Sequence, residues 1–278
     1  MTEIEFLRSA LHEDVAEGDH SSLSTIPESA QGKAHLLVKE PGIISGIEVA
    51  KSVFNLVNSN IQLEIFMQDG QQVSPGDIVF IAKGSSQNLL KAERLMLNLM
   101  QRMSGIATTT QKYVNLTMGT KARVLDTRKT TPNLRAFEKQ AVLHGGGTNH
   151  RFGLYDMIMI KDNHIDFAGG IEQALQKATD YIQTKNLDLK IEIETRNLDE
   201  VQQVLECGLG DRIMLDNFNY ADTKTAVHLI DGKYETESSG GITLDTIEGY
   251  AKCGVDYISV GALTHSVRSL DLSFKAIN

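Results

Sequence analysis

Five residues with the chemistry to hold an anion, Arg128, Lys129, His150, Arg151 and Lys161, fall within residues 123–164, RVLDTRKTTPNLRAFEKQAVLHGGGTNHRFGLYDMIMIKDNH. The acids of that stretch are Asp126, Glu138, Asp156 and Asp162, whereas the whole chain carries a net charge of −9. A local excess of cations on an acidic chain points to a small anionic ligand; a nucleic-acid footprint would shift the balance of the whole domain. Arginine suits bidentate capture of carboxylates, and lysine acts as a point charge. His150 and Arg151 follow the run Gly145-Gly146-Gly147, which would let a loop approach a ligand closely.

A second group is acidic. Glu192 and Glu194 lie two apart in a strand-like run and so share a face. Two inward carboxylates are costly without cations or a metal. Asp216 ends the next strand-like run, so Glu194 with Asp216 forms a magnesium-ready pair of hard oxygen ligands. The plainer alternative is that the two acids only orient lysines and arginines. A third group is glycine-rich. Ser239-Gly240-Gly241 and Gly261 follow the last two strand-like runs, where backbone N–H groups at a turn can grip a phosphate. Tight turns with positive φ would also explain them. Together these groups describe one substrate with phosphate and pyrophosphate and a second bearing carboxylates.

The elements that must position these residues change character along the chain. Thr2 and Glu5 form a capping box for a first helix with Ile4, Leu7, Ala10 and Leu11 on its apolar face. The stretch GDHSSLSTIPES reads as a loop. Strands are expected within 32–46, 61–67 and 78–82, the last two as a β-hairpin, with a helix from Ile47. Helices are expected over 86–103 and about 107–116, divided at Ser104-Gly105, with Arg102 at the end of the first. The first hundred residues are thus α+β. Beyond them, strand-like runs at 124–125, 157–160, 190–194, 212–215, 234–237 and 257–260 alternate with helical patterns at 171–182, 198–205, 223–230 and 244–251. That alternation implies parallel strands with right-handed crossovers, as in a barrel of βα units. Six strands are clear where a complete barrel has eight, so the barrel is open or two strands are poorly signalled. Polar residues cluster at the strand ends, the functional face of such a barrel.

The 278 residues are 41% hydrophobic and 23% charged, ordinary for a globular protein that builds its own core. Cys207 and Cys253 have no paired spacing, which argues against a disulfide framework or thiolate metal site and fits a reducing, cytoplasmic compartment. The N-terminus is acidic and amphipathic, unlike a signal peptide, and no apolar run is long enough to span a membrane.

The motifs LNLMQRMSGIAT, LDTRKTTPNLR, EKQAVLHGGGTNHRFGLYDMIMIKDNHI, IEIE, IMLDNF, ESSGGITLDTI and DYISVGALTHS resemble the quinolinate phosphoribosyltransferase family over nearly the whole chain. Two departures stand out: Asn133 where glycine is usual, and HSS after Gly18-Asp19 where a threonine is usual. The resemblance implies an α/β architecture. An N-terminal α/β sandwich domain would cover 1–106, with the tail 267–278 packing back on it, and an incomplete parallel αβ barrel would cover 107–266. It implies quinolinate and phosphoribosyl pyrophosphate as substrates and Mg2+ as cofactor. The products would be nicotinate mononucleotide, pyrophosphate and CO2, in NAD biosynthesis. It also implies a homodimer with shared active sites, and no nucleic-acid or membrane partner. Residue by residue, Arg128, His150, Arg151 and Lys161 match the quinolinate clamp, with Arg102 reaching across the dimer. Lys129, Glu194, Asp216, Ser239, Gly240, Gly241 and Gly261 match the phosphoribosyl pyrophosphate site. Glu194 and Asp216 would hold the metal, and with Lys129 and Lys161 carry the catalysis. Rival readings are a paralogous phosphoribosyltransferase using another acid or base and a non-catalytic phosphometabolite sensor. The intact dicarboxylate clamp disfavours the first, and the acids beside it the second.

Overall fold

The computed structural model describes residues 2–277. It divides into two compact units, one comprising the residues up to Gln111, Thr131–Gly146 and Ser266 onward, the other Lys112–Thr130 and Gly147–His265.

The first unit begins with helix α1 (Glu3–Val15), closed by the expected capping box of Thr2 and Glu5. A short helix α2 (His20–Thr25) replaces the expected loop. The Asp19 carboxylate accepts the Ser22 N–H and starts this turn, a cap that outweighs the loop-like composition. Strands β1 (Gln31–Val38) and β2 (Gly42–Ile43), helix α3 (Ile47–Val57), and strands β3 (Gln62–Ile65), β4 (Gln72–Val73) and β5 (Ile78–Ser85) follow. Strands β3 and β5 pair antiparallel, as the hairpin reading expects, while β2 and β4 form a separate small sheet. Helix α4 then runs unbroken from Ser86 to Thr117.

The break expected at Ser104-Gly105 is absent because those residues serve packing. The Ser104 hydroxyl accepts the Ser45 N–H at 2.9 Å and donates to the Ser45 carbonyl at 3.1 Å. A Cβ at Gly105 would stand 2.2 Å from the Arg268 carbonyl, so glycine admits the returning chain. Helix α5 (Arg135–His144), which periodicity alone did not reveal, belongs by its contacts to this first unit, although the sequence reading grouped its residues with the barrel. Gly145 is spent on packing too: a Cβ there would lie 2.4 Å from the Ala107 carbonyl of α4.

The tail returns as expected. Strand β12 (Leu272–Ile277) pairs antiparallel with β1, giving the sheet order β12-β1-β5-β3. Phe54, Phe80 and Phe274 meet in its core with ring centroids 6.0–6.4 Å apart.

The second unit contains strands β6 (Arg123–Leu125), β7 (Ile158–Ile160), β8 (Ile191–Thr195), β9 (Arg212–Asp216), β10 (Glu235–Ser239) and β11 (Tyr257–Ser259). They coincide with the six expected runs and form one parallel sheet, order β6-β11-β10-β9-β8-β7. The ladder ends at β6 and β7, so the barrel is open. Between strands lie helices α6 (Asp162–Ala168), α7 (Ile171–Lys185), α8 (Leu198–Cys207), α9 (Tyr220–Ile230), α10 (Ile247–Ala251) and α11 (Ala262–His265). Asn197 and Asn219 cap α8 and α9 through their side chains, which turns the chain sharply at the ends of β8 and β9. Ile191, Ile193, Ile213, Leu215 and Ile258 are buried. By the two-residue alternation of a strand they share the face opposite Glu192, Glu194, Arg212, Asp216 and Ser259. No helix among the described residues is long and apolar enough to cross a membrane.

Candidate active site

The strand ends of the second unit surround a cavity of about 710 Å³. Arg128, Lys129, His150, Arg151, Lys161, Glu194, Asp216, Ser239, Gly240, Gly241 and Gly261 all line it. Among the expected site residues, Arg102 alone is absent from that lining. It lies on α4 in the first unit, where its Nε and Nη2 both lie 2.7 Å from the buried Glu138 carboxylate and Nη2 donates to Thr131 at 3.0 Å.

The cationic wall is built by the loops after β6 and before β7. Burial depresses the Arg151 guanidinium, and the neighbouring Arg128 charge depresses it further. A guanidinium whose charge is opposed by burial and by a neighbouring guanidinium is placed for an anion. Arg151 is fixed by a bond from Nη1 to the Met157 carbonyl at 3.2 Å. Its backbone N–H donates to His150 Nδ1 at 2.6 Å, and the His150 N–H donates to the buried Asp126 at 2.8 Å. Lys161, at the end of β7, donates to Glu194 at 3.2 Å.

The acidic wall spans adjacent strands. Both oxygens of Asp216 are engaged, accepting the Ser239 hydroxyl at 2.5 Å and the Asn217 amide at 2.6 Å. Asn217 is left-handed, with φ 56°, and Asn tolerates that region. Gly240 has φ 93°, and a Cβ there would meet Asn217 Oδ1 at 2.1 Å, so only glycine fits this turn. Gly261 lets the Lys129 stem and the His265 ring approach, since a Cβ would lie 3.2 and 3.0 Å from them. Away from the cavity, Asn133 is left-handed with φ 65°, so the asparagine keeps the backbone shape that glycine would allow.

Beneath the cavity lies a charged layer that motif reading did not separate out. Glu192, Arg212 and Glu237 are buried, and Glu237 reaches the cavity lining. His150 Nε2 is 3.0 Å from Glu192 and 3.5 Å from Glu237. Arg212 donates to Glu237 at 3.1 Å and to Glu235 at 3.1 Å, and its guanidinium lies 4.1 Å from the Tyr257 ring centre. Burial raises Glu192 to about 7, partly offset by Arg212. Burial and the Glu192 charge raise Glu237 to about 8. The signal was present in β10, where Glu235, Glu237 and Ser239 alternate as Glu192 and Glu194 do in β8.

Glu194 and Asp216, hard oxygen donors on neighbouring strands that both line the cavity, are the residues that could hold a hard cation such as magnesium.

The family model for the quinolinate phosphoribosyl transferase C-terminal domain matches residues 106–275, and that for the N-terminal domain residues 19–104. The chain is 44% identical to the chloroplastic nicotinate-nucleotide pyrophosphorylase (carboxylating) of Arabidopsis thaliana, over 97% of this chain and 81% of that one. It is 41% identical to the probable nicotinate-nucleotide pyrophosphorylase (carboxylating) of Bacillus subtilis, over 94% and 89% of the two chains. The solved nicotinate-nucleotide pyrophosphorylase from Francisella tularensis superposes with a TM-score of 0.93 at 40% identity, covering 99% of this chain and 96% of that one. On the strength of both domain matches, in the order and at the positions of the two units' main segments, the chain belongs to the quinolinate phosphoribosyltransferase family.

Proposed function

We propose that this protein transfers the phosphoribosyl group of phosphoribosyl pyrophosphate to quinolinate, releasing pyrophosphate and CO2 and forming nicotinate mononucleotide for NAD biosynthesis. The observation that carries the reading is one cavity holding a guanidinium pair, two lysines, three acids and a glycine turn. Arg128 and Arg151 grip the carboxylates of quinolinate, with Lys161 beside them, and His150 supports the grip from the floor. Ser239, Gly240, Gly241 and Gly261 hold the 5-phosphate, and Lys129 meets the pyrophosphate. The ring nitrogen attacks the ribose carbon as pyrophosphate leaves. Glu194 and Asp216 stabilise the positive charge that develops on the ribose. The clamp supplies positioning, which a weak nucleophile needs more than activation. The carboxyl group next to the ribosylated nitrogen then departs as CO2. Its electron pair stays on the ring carbon, stabilised by the cationic nitrogen, until that carbon takes a proton.

Glu194 and Asp216 would hold Mg2+, which when bound neutralises charge on the leaving group. The reading includes a homodimer in which Arg102 serves the partner's cavity. Supporting it, Arg102 is partly exposed and braced by a buried acid. A cytoplasmic location belongs to the same reading, with Cys207 and Cys253 both free thiols.

The test is a coupled assay with magnesium, phosphoribosyl pyrophosphate and either quinolinate or nicotinate, following nicotinate mononucleotide and CO2. Product from quinolinate, abolished by chelator, is the expected result. Product from nicotinate alone would overturn the substrate. Binding of both substrates without product would favour a sensor.

A further inference from the structure

We propose that Glu192 is a positioning residue for the carboxylate clamp, acting through His150, with Glu237 and Arg212 bracing it from below. The inference deepens the proposed function and rests on it.

His150 is held by its own chain on three sides. Its backbone N–H donates to Asp126 at 2.8 Å, and its Nδ1 accepts the Arg151 N–H at 2.6 Å. An accepting Nδ1 places the ring proton on Nε2. That atom faces Glu192 Oε2 at 3.0 Å and Glu237 Oε2 at 3.5 Å. Nδ1 is therefore committed to the backbone, and Nε2 lies within charge-pairing distance of two buried carboxylates. The imidazole acts as a strut between the buried acid and the backbone of Arg151. Arg212 donates to Glu237 at 3.1 Å and stacks on Tyr257, which fixes the lower end of the assembly. Glu192 itself is fully buried and is not part of the cavity lining, so it reaches the substrate through its neighbours, His150 in contact and Arg151 by charge.

His150, Glu192 and Glu237, with donor atoms within 4.8 Å of one another, have the composition of a small metal site. The Arg212 guanidinium already supplies a positive charge to Glu237, which favours the strut.

Loss of the strut should loosen the carboxylate end of the site and spare the phosphate end, whose residues lie at the ends of β10 and β11 and in the turns that follow them. Glu192→Ala and Glu192→Gln are compared with the wild-type full chain. Glu192→Ala is expected to raise KM for quinolinate about tenfold or more, with KM for phosphoribosyl pyrophosphate changed less than about twofold. Glu192→Gln, whose amide oxygen can still accept from Nε2, is expected to recover most of the loss. Equal losses in both variants, or a loss confined to phosphoribosyl pyrophosphate, would overturn the assignment.

Imidazole nitrogen NMR of the wild type provides a second readout that does not depend on the Glu192 variants folding. The His150 ring, assigned by difference with His150→Gln, is expected as the Nε2–H tautomer. An Nδ1–H tautomer, or stoichiometric metal whose removal shifts the His150 signals, would overturn the strut. If the wild type makes no product, the proposed function fails. The tautomer then still decides the strut, and calorimetry with quinolinate reads the clamp directly.

Discussion

The Lys161 ammonium stands 3.2 Å from the Glu194 carboxylate, joining the end of β7 to the end of β8. This pair is the seam between the cationic wall and the acidic wall of the cavity. Glu194→Gln removes the negative charge that the proposed mechanism offers to the ribose while leaving Arg128 and Arg151 untouched. The expected outcome is a fall in kcat of about 10²–10³-fold, the usual size for one electrostatic group at the reacting centre. Quinolinate affinity by calorimetry should change little. Unchanged turnover would remove Glu194 from the chemistry.

Arg151 is fixed by its contacts with Met157 and His150. Arg151→Lys keeps the charge and loses the two-pronged fork. It should raise KM for quinolinate roughly 10–100-fold with a smaller effect on phosphoribosyl pyrophosphate, because a point charge cannot replace a bidentate grip. Steady-state kinetics with each substrate varied in turn would read this split.

If active sites are shared in a homodimer, Arg102→Ala and Asp216→Asn should each be inactive alone and complement each other when mixed. Half of the randomly reassembled dimers would be mixed, each with one intact site, so about a quarter of wild-type activity should return. Mixing after mild dissociation, followed by the coupled assay, measures this. No recovery from dimers shown to have exchanged subunits would mean that Arg102 does not serve the partner's site.

The buried acids set a pH signature. Glu192 and Glu237 are raised to about 7 and about 8 from an ordinary 4.5. The folded state therefore binds more protons than the unfolded chain between about pH 4.5 and 8. Stability contributed by these groups is complete at the acid end of that window and is lost as pH rises through the folded values. Glu237→Gln cannot ionise, so its Tm relative to the wild type should rise across the window by roughly 5 °C or more. A difference in Tm that stays flat from pH 5 to 8 would contradict the raised carboxyl.

Much of the second unit was readable because its grammar is short-range. Each strand is an apolar run with polar residues at one end, and Ser239-Gly240-Gly241 and Gly261 mark the turns that follow. Local patterns carry that information. What they do not carry is why a particular small residue is small. Ser104-Gly105 looks like a helix end and is instead the place where α4 admits Ser45 and Arg268. Gly145 looks like ligand-loop chemistry and is a close approach to Ala107. Helix α5 was hidden because its face includes the buried Glu138 and Lys139, which blur an apolar stripe. The Glu192–His150–Glu237 layer depends on three separated segments meeting, and the spacing within any one of them does not report that meeting.

The pairing of β12 with β1 has a consequence for how the polypeptide is made. Strand β1 meets β5 from the same early part of the chain, but its other edge waits for residues 272–277. During synthesis the first sheet stands with one row of backbone groups unpaired while the entire barrel unit is being added. Its last strand is also its last-born, so a nascent first unit carries an exposed edge throughout the birth of the second, the kind of edge on which chains stick to one another.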